Sequence, residues 1–501
     1  MCPLSTYILS SVGESLMVQR LKNFIGGEWV ESSASPDLDI PVINPATCEV
    51  IANCPDSTKE DVDRAVKAAQ AAFPEWRSTP VLSRAQYMFR LKGLVEERFE
   101  ELAQMVVREN GKTMDEARGE VRRGIESIDY AISVPTVMRG FKVEDISSGI
   151  DETAERQPLG VFAAITPFNF PFMVPLWFLP TAIVCGNTYI IKASPQTPVS
   201  MQLLYEILEE LDLPEGVVNL VQGGKESSVA VMEHPGIIGV SFVGSTPVAK
   251  IVYETCAKHG KRVQAQGGAK NYIAVMPDAN INASVANIMG SAYGCAGQRC
   301  LAGSVVVAVG DAYEPLKAEL LNRASNLRVG YGLEETTQMG TVVSAQARER
   351  IEKMIQDGVN EGAKIILDGR NKVVEGFEEG TFVGPTILDG VTTDMSVATE
   401  EIFGPVLSII KANDFDEVVE IINNSHYGNA ASIFTNNGKY AREFKYRVQA
   451  GNIGINVGVA AATASFPFGG QKDSFFGDLH GQGPDAIEFF TDRKIVIERW
   501  L

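Results

Sequence analysis

Residues 161–193 read VFAAITPFNFPFMVPLWFLPTAIVCGNTYIIKA. Two short apolar runs, VFAAIT (161–166) and TYIIKA (188–193), stand at its ends, and each has the length of a buried strand. Pro171, Pro175 and Pro180 interrupt the apolar stretch Phe168–Cys185, which is too short and too broken to span a bilayer. Three more runs follow: VVNLV (217–221), GVSFV (239–243) and YIAVM (272–276). Helical segments lie between runs, such as Val199–Leu211 and Val248–Lys258. Alternation of this kind predicts a parallel sheet with right-handed crossovers. Such a sheet binds ligands beyond the carboxyl ends of its strands.

Upstream, residues 57–135 read as helices. Ser57 with Asp61 and Asp63 suits a helix start, and Val62, Val66, Ala69 and Phe73 recur at helical spacing. Further helices are expected over Ser83–Asn110 and Met114–Ile132. Downstream, a second alternation has SVVVAV (304–309) as its clearest strand, with helices around Glu314–Arg323 and Ala347–Glu361. The chain ends in KIVIERW (494–500), which alternates like an exposed strand. Such an edge needs a partner, and a neighbouring subunit is one candidate, so a homo-oligomer is expected. The first 16 residues have no basic segment and only a short apolar stretch, which reads as a disordered extension rather than a signal peptide.

The length of 501 residues calls for two or three domains. A hydrophobic share of 45% and a charged share of 21% belong to an ordinary soluble protein. The net charge of −19 argues against nucleic acid as a partner. Seven scattered cysteines do not form a disulfide framework, which points to reduced thiols and a cytoplasmic setting. Cys295 and Cys300 have no histidine nearby in sequence to complete a tetrahedral metal set.

Three segments carry candidate chemistry. GCAGQRC (294–300) ends in a cysteine beside Arg299, a cation that favours the thiolate; a lone cysteine is otherwise a small buried hydrophobe. ITPFNFP (165–171) presents Asn169 at the end of a strand, where an amide N–H can face an oxyanion; the same residue also suits a plain turn before Pro171. Gly244–Ser245–Thr246 lies between a strand and a helix, a natural phosphate site, though no G-x-G-x-x-G is present.

Together and in this order, these segments resemble the aldehyde dehydrogenase superfamily. The matching motifs are ITPFNFP (165–171), IIKAS (190–194), SFVGST (241–246), GQRC (297–300), EEIFGPV (400–406) and NVGVAAATASFPFGGQKDS (456–474). The resemblance implies an α/β fold of two parallel-sheet domains plus a small oligomerisation arm. Residues 1–138 and 158–265 would bind the dinucleotide, 139–157 and 485–501 would form the arm, and 266–484 would carry the nucleophile. It implies that Cys300 attacks an aldehyde and that Asn169 holds the oxyanion. It also implies that Thr166, Phe168 and Lys192 line the cofactor site, that Ser245 touches the pyrophosphate, and that Glu401 touches the nicotinamide ribose.

One departure narrows the expectation. Hydrolytic members carry a glutamate at the head of E-L-G-G-K, and here Ala265 occupies that position. Alanine abstracts no proton, which removes a contribution of roughly 10²–10⁴-fold from hydrolysis. A thiolate attacks thioesters without that help, so coenzyme A becomes a sensible second substrate. G-A-K-N (268–271) and QKDSFFGDLHGQGPDAIEFFT (471–491) are similar to the methylmalonate-semialdehyde dehydrogenase branch, which acylates coenzyme A. Tyr272 departs from that branch, where histidine is expected. The branch pattern also singles out Arg123 and Arg299, two guanidinium groups able to clamp the carboxylate of a semialdehyde. Arg123 otherwise suits a solvated helix face beside Glu120 and Glu126. NAD is the cofactor expected from the branch; Pro195 stands where NAD-preferring members often have a glutamate, so NADP is compatible too. A hydrolytic enzyme with another base, Glu401 or Glu254, is the alternative.

Overall fold

The computed structural model describes residues 18–500; the expected disordered extension over residues 1–16 lies outside them. Two parallel-rich sheets organise the chain. The first has eight strands in the order Glu28–Val30, Asn23–Ile25, Val218–Val221, Thr188–Lys192, Val161–Ile165, Ile237–Val243, Arg262–Gln266 and Phe475–Gly477. Its five inner strands are parallel, and antiparallel strands close both edges. The runs in residues 161–243 all become strands of this sheet, each buried along most or all of its length, as a sheet covered by helices on both faces requires.

Two features of the sheets depart from the sequence reading. Arg262–Gln266 is a strand that the alternation did not reveal, because its buried Gln264 and Gln266 read as polar. Asn271–Val275, which continued the first set of runs in sequence, pairs instead with Gly303–Val309 and Ala430–Phe434 in the second sheet. That sheet has seven strands: Lys364–Leu367, Thr386–Asp389, Val406–Ala412, Gly303–Val309, Asn271–Val275, Ala430–Phe434 and Asn452–Ile455. All its neighbours are parallel except the first pair.

The helix expected from Ser57 spans Lys59–Ser78, and its cap is Thr58, which accepts from Glu60 N while Asp61 reciprocates. Ser57 bonds to Asn23 instead, at 3.0 Å. The stretch expected over Ser83–Asn110 is two helices, Val81–Glu97 and Phe99–Asn110, broken at Arg98. Met114–Ile132 is one helix, opened by a capping box between Thr113 and Glu116. No helix among the described residues is long and apolar enough to cross a membrane.

The C-terminal strand, Thr491–Arg499, finds its partner within its own chain. It pairs antiparallel with Ile150–Pro158, which pairs with Phe141–Ser147. Its second edge is open.

Candidate active site

The order of the first sheet reverses between Val161–Ile165 and Ile237–Val243, since the chain builds outward in both directions from that pair. The crevice beyond their carboxyl ends is where an open α/β sheet takes a ligand. Two candidate segments, Thr166–Pro171 and Gly244–Thr246, emerge there. Ser245 is the N-cap of the helix Thr246–Lys258, and its hydroxyl makes no capping bond, so it is unspent at a helix N-terminus. The Thr246 hydroxyl donates to Asp473 O at 2.9 Å and accepts from Gly268 N at 2.8 Å.

The segment bearing Asn169 is gripped from below. Thr166 N donates to Lys192 O at 3.1 Å. Phe168 O accepts from Asn110 Nδ2 at 3.0 Å and from the Thr197 hydroxyl at 3.3 Å, while the Phe168 ring meets Phe403 edge-on. Asn169 O accepts from Lys112 Nζ at 2.7 Å. Lys112 is also paired with Glu120 at 2.5 Å, both side chains fully buried. The other Glu120 oxygen accepts from the Phe172 and Met173 N–H groups, where a helix begins. A buried ion pair needs such further bonds to offset desolvation. The Asn169 amide itself donates to Gln298 O at 3.1 Å, two residues before Cys300.

The Gly294–Cys300 segment bends sharply after the helix Ile281–Tyr293. Cys295 and Ala296 take left-handed φ values of 52° and 50°. Gly297 follows at φ 71°, and a Cβ there would lie 2.0 Å from Gly404 O; only glycine fits. Glu116 accepts from Cys295 N at 2.6 Å. Asn271 and Asn429 both donate to Cys300 O, at 2.9 and 2.8 Å. These two amides come from neighbouring strand ends of the second sheet and hold the Cys300 backbone from one side.

Burial pushes the Cys300 thiol up to about 12, and the Glu401 carboxylate adds to the rise; Arg299 and the N–H groups of Cys300 and Leu301 oppose it. Glu401 Oε1 accepts from Ala269 N at 2.8 Å, and burial raises this carboxyl to about 7. Lys192 Nζ donates to Gly223 O at 3.1 Å, and burial lowers it to about 8.

The two arginines are both engaged. Arg123 pairs with Glu126 at 2.8 Å and donates to Ala462 O. Arg299 reaches Cys295 Sγ at 3.4 Å. Glu116, Glu120 and Arg123 stand at helical spacing i, i+4, i+7, on one face of Met114–Ile132. The helix that grips both segments therefore also carries Arg123. Each guanidinium retains further N–H donors.

Ala265 is wholly buried in the strand Arg262–Gln266, paired with Phe242 and Phe476. Glu254 is exposed on its helix. The Tyr272 phenol is buried and donates to Ala398 O at 3.0 Å. Lys112, Glu116, Glu120, Lys270, Asn271 and Asn429 were not singled out from sequence. Lys270 and Asn271 lay inside the quoted G-A-K-N pattern; the others are far in sequence from the segments they hold.

The Aldehyde dehydrogenase family pattern matches residues 29–496. Malonate-semialdehyde dehydrogenase 2 of Geobacillus kaustophilus is 48% identical over 483 residues, covering 96% of this chain and 99% of that protein. Malonate-semialdehyde dehydrogenase of Halalkalibacterium halodurans is 46% identical over 482 residues, with 96% and 99% covered. A Sinorhizobium meliloti structure, described as a methylmalonate-semialdehyde dehydrogenase complexed with NAD, superposes at TM-score 0.95 with 40% identity, covering 97% of this chain and 99% of that one. Methylmalonate-semialdehyde dehydrogenase from Oceanimonas doudoroffii does so at 0.94 with 42% identity, with 97% and 99% covered.

Proposed function

The chain belongs to the aldehyde dehydrogenase family, and from that premise we propose that it oxidises malonate or methylmalonate semialdehyde through a Cys300 thioester and passes the acyl group to coenzyme A. The observation that carries the acyl-acceptor reading is that no carboxylate stands at the end of the strand Arg262–Gln266: Ala265 is a buried methyl, and Gln266, four residues before Lys270 and so level with the head of E-L-G-G-K, is a buried amide that donates to Phe468 O. The names of its relatives support the substrate class.

The Cys300 sulfur adds to the aldehyde, and Asn169 and the Cys300 N–H donate to the resulting oxyanion. Donors of this kind contribute roughly 3–4 kcal/mol each when fixed in advance. The Lys112–Glu120 pair does that fixing for the Asn169 segment. The unspent Ser245 hydroxyl and the helix N-terminus behind it fit a pyrophosphate. Thr166, Phe168 and Lys192 would line the rest of a dinucleotide site, with Glu401 toward the nicotinamide ribose. A bound nicotinamide supplies the hydride acceptor; NAD is favoured by the branch, and NADP is compatible with Pro195. Arg123 and Arg299 would turn spare N–H donors to the substrate carboxylate. Once the thioester forms, that carboxylate lies β to a carbonyl, and carbon dioxide leaves with its electrons delocalised into the thioester. Coenzyme A then takes the acyl group, giving acetyl- or propionyl-coenzyme A.

Residues 1–138 and 158–265 form the dinucleotide-binding domain in this reading, with 266–484 catalytic and 139–157 and 485–501 the arm. The strand Phe475–Gly477 nonetheless crosses into the first sheet. The described cysteines are all free, in keeping with a reducing, cytoplasmic setting.

The decisive experiment is a semialdehyde panel with and without coenzyme A. Without it, reduced cofactor should appear as a burst matching the enzyme concentration and then slow sharply. Sustained turnover to free acid would establish the hydrolytic alternative.

A further inference from the structure

Gln298 stands two residues before Cys300 and is buried with both ends of its side-chain amide engaged. Its Oε1 accepts from Val343 N at 3.0 Å. Its Nε2 faces Cys295 O and Thr341 O, each at 3.4 Å. Its backbone carbonyl accepts from the Asn169 amide at 3.1 Å. A carbonyl only accepts and an N–H only donates, so these contacts fix which way round both amides sit.

The segment that holds the Gln298 side chain is itself tied back to Asn169. Thr341 N donates to Gly111 O at 3.1 Å. Gly111 takes a left-handed φ of 89°, and a side chain there would collide with the Thr341 hydroxyl. On either side of Gly111, the Asn110 amide holds Phe168 O and the Lys112 ammonium holds Asn169 O. These bonds close a circuit. It runs from the Gln298 side chain to Thr341, to Gly111, to the Phe168–Asn169 backbone, and through the Asn169 amide to the Gln298 carbonyl. Gln298 closes it, entering by its side chain and leaving by its backbone. Cys300 lies outside the circuit, since Asn271 and Asn429 hold its carbonyl.

We propose that Gln298 is a positioning residue that aims the Asn169 amide at the oxyanion. That amide carries two N–H donors. One is spent on Gln298 O, and because the amide is planar, this bond sets the direction of the other. The side-chain bonds of Gln298 keep its carbonyl in place. The second Asn169 N–H is therefore oriented before any oxyanion forms, the condition under which such a donor contributes most. The inference rests on the proposal that Cys300 is the nucleophile and Asn169 the oxyanion donor, and is independent of the acyl acceptor.

The test compares two reactions of the same sulfur. Addition to a semialdehyde passes through an oxyanion and is read as the rapid-mixing burst of cofactor reduction without coenzyme A. Alkylation by iodoacetamide displaces iodide and forms no oxyanion; it is followed on the Cys300 peptide by mass spectrometry. Gln298→Met keeps the length of the side chain and removes its hydrogen bonds. It should slow the burst about ten- to hundredfold, the scale of a small misplacement. Alkylation should change by less than about twofold, as for an independent site. Asn169→Ala alone should slow the burst roughly 10²–10³-fold, and adding Gln298→Met to it should cost no more than about twofold further, because the amide it aims is gone. An unchanged burst in Gln298→Met overturns the proposal. So do equal losses of burst and alkylation in the folded variant, which would make Gln298 a support of the whole turn. Losses that multiply in the double variant overturn it too, since Gln298 would then act apart from Asn169. If Gln298→Met does not fold, by circular dichroism, Gln298→Glu takes its place in the cycle, keeping the acceptor for Val343 N. A wild-type burst in Asn169→Ala would instead remove the oxyanion role of Asn169, and this inference with it.

Discussion

At the residue scale the proposed chemistry turns on the Cys300 thiol. Burial and Glu401 both disfavour the thiolate, and Arg299 and two backbone N–H groups oppose them. Cys300→Ala should abolish cofactor reduction, measured by absorbance, while leaving the fold unchanged by circular dichroism. Arg299→Leu should lower kcat/KM at least tenfold for semialdehydes bearing a carboxylate and much less for propanal. Equal losses for both would show that Arg299 serves the Cys295 turn, which it also touches, and not the substrate.

At the scale of elements, the proposed oxyanion donor and the proposed nucleophile ride on two segments held by one helix. Met114–Ile132 sends Glu120 to the Asn169 segment, through Lys112 and two N–H groups, and Glu116 to Cys295 N. Lys112→Met leaves Glu120 buried and unpaired, which should cost about 3–5 kcal/mol in denaturant unfolding. It should also lower kcat through a misplaced Asn169. Gly297→Ala forces a Cβ onto Gly404 O in a left-handed turn and should cost more activity than stability, read from kcat beside the unfolding midpoint. The motifs around Asn169, Ser245, Glu401 and Cys300 could be singled out because each lies in a loop beside a strand, among small or turn-forming neighbours. The clamps behind them were not. Lys112, Glu116 and Glu120 look like an ordinary charged surface until the fold buries Lys112 and Glu120 and turns Glu116 to the Cys295 N–H. The strand Arg262–Gln266 was hidden for a related reason: its inward glutamines find partners in Ser241 and Phe468, so polarity there does not mean exposure.

At the scale of the whole molecule, the three-stranded arm carries exposed apolar residues on one face. Phe141 lines up through Ala154 with Ile495, and Val143 through Glu152 with Ile497. Ile495 is 57% exposed, Ile497 65%, and Trp500 nearby 80%. A face like this, beside an open strand edge, suits contact with a second copy. Ile497→Lys should shift the protein toward monomer in sedimentation velocity without altering its circular dichroism. An unchanged mass would place the contact elsewhere. The terminal strand was readable as one needing a partner, but the partner in its own chain was not, because pairing across more than 300 residues leaves no local signal. The long pairings have a consequence for how the chain is made. The first sheet lacks its last strand until Phe475–Gly477 exists, and the arm lacks its third until Thr491–Arg499 does. A ribosome must therefore release nearly the whole chain before either sheet can close. Until then the unclosed edges are open to chaperones, and to other nascent copies of the same chain.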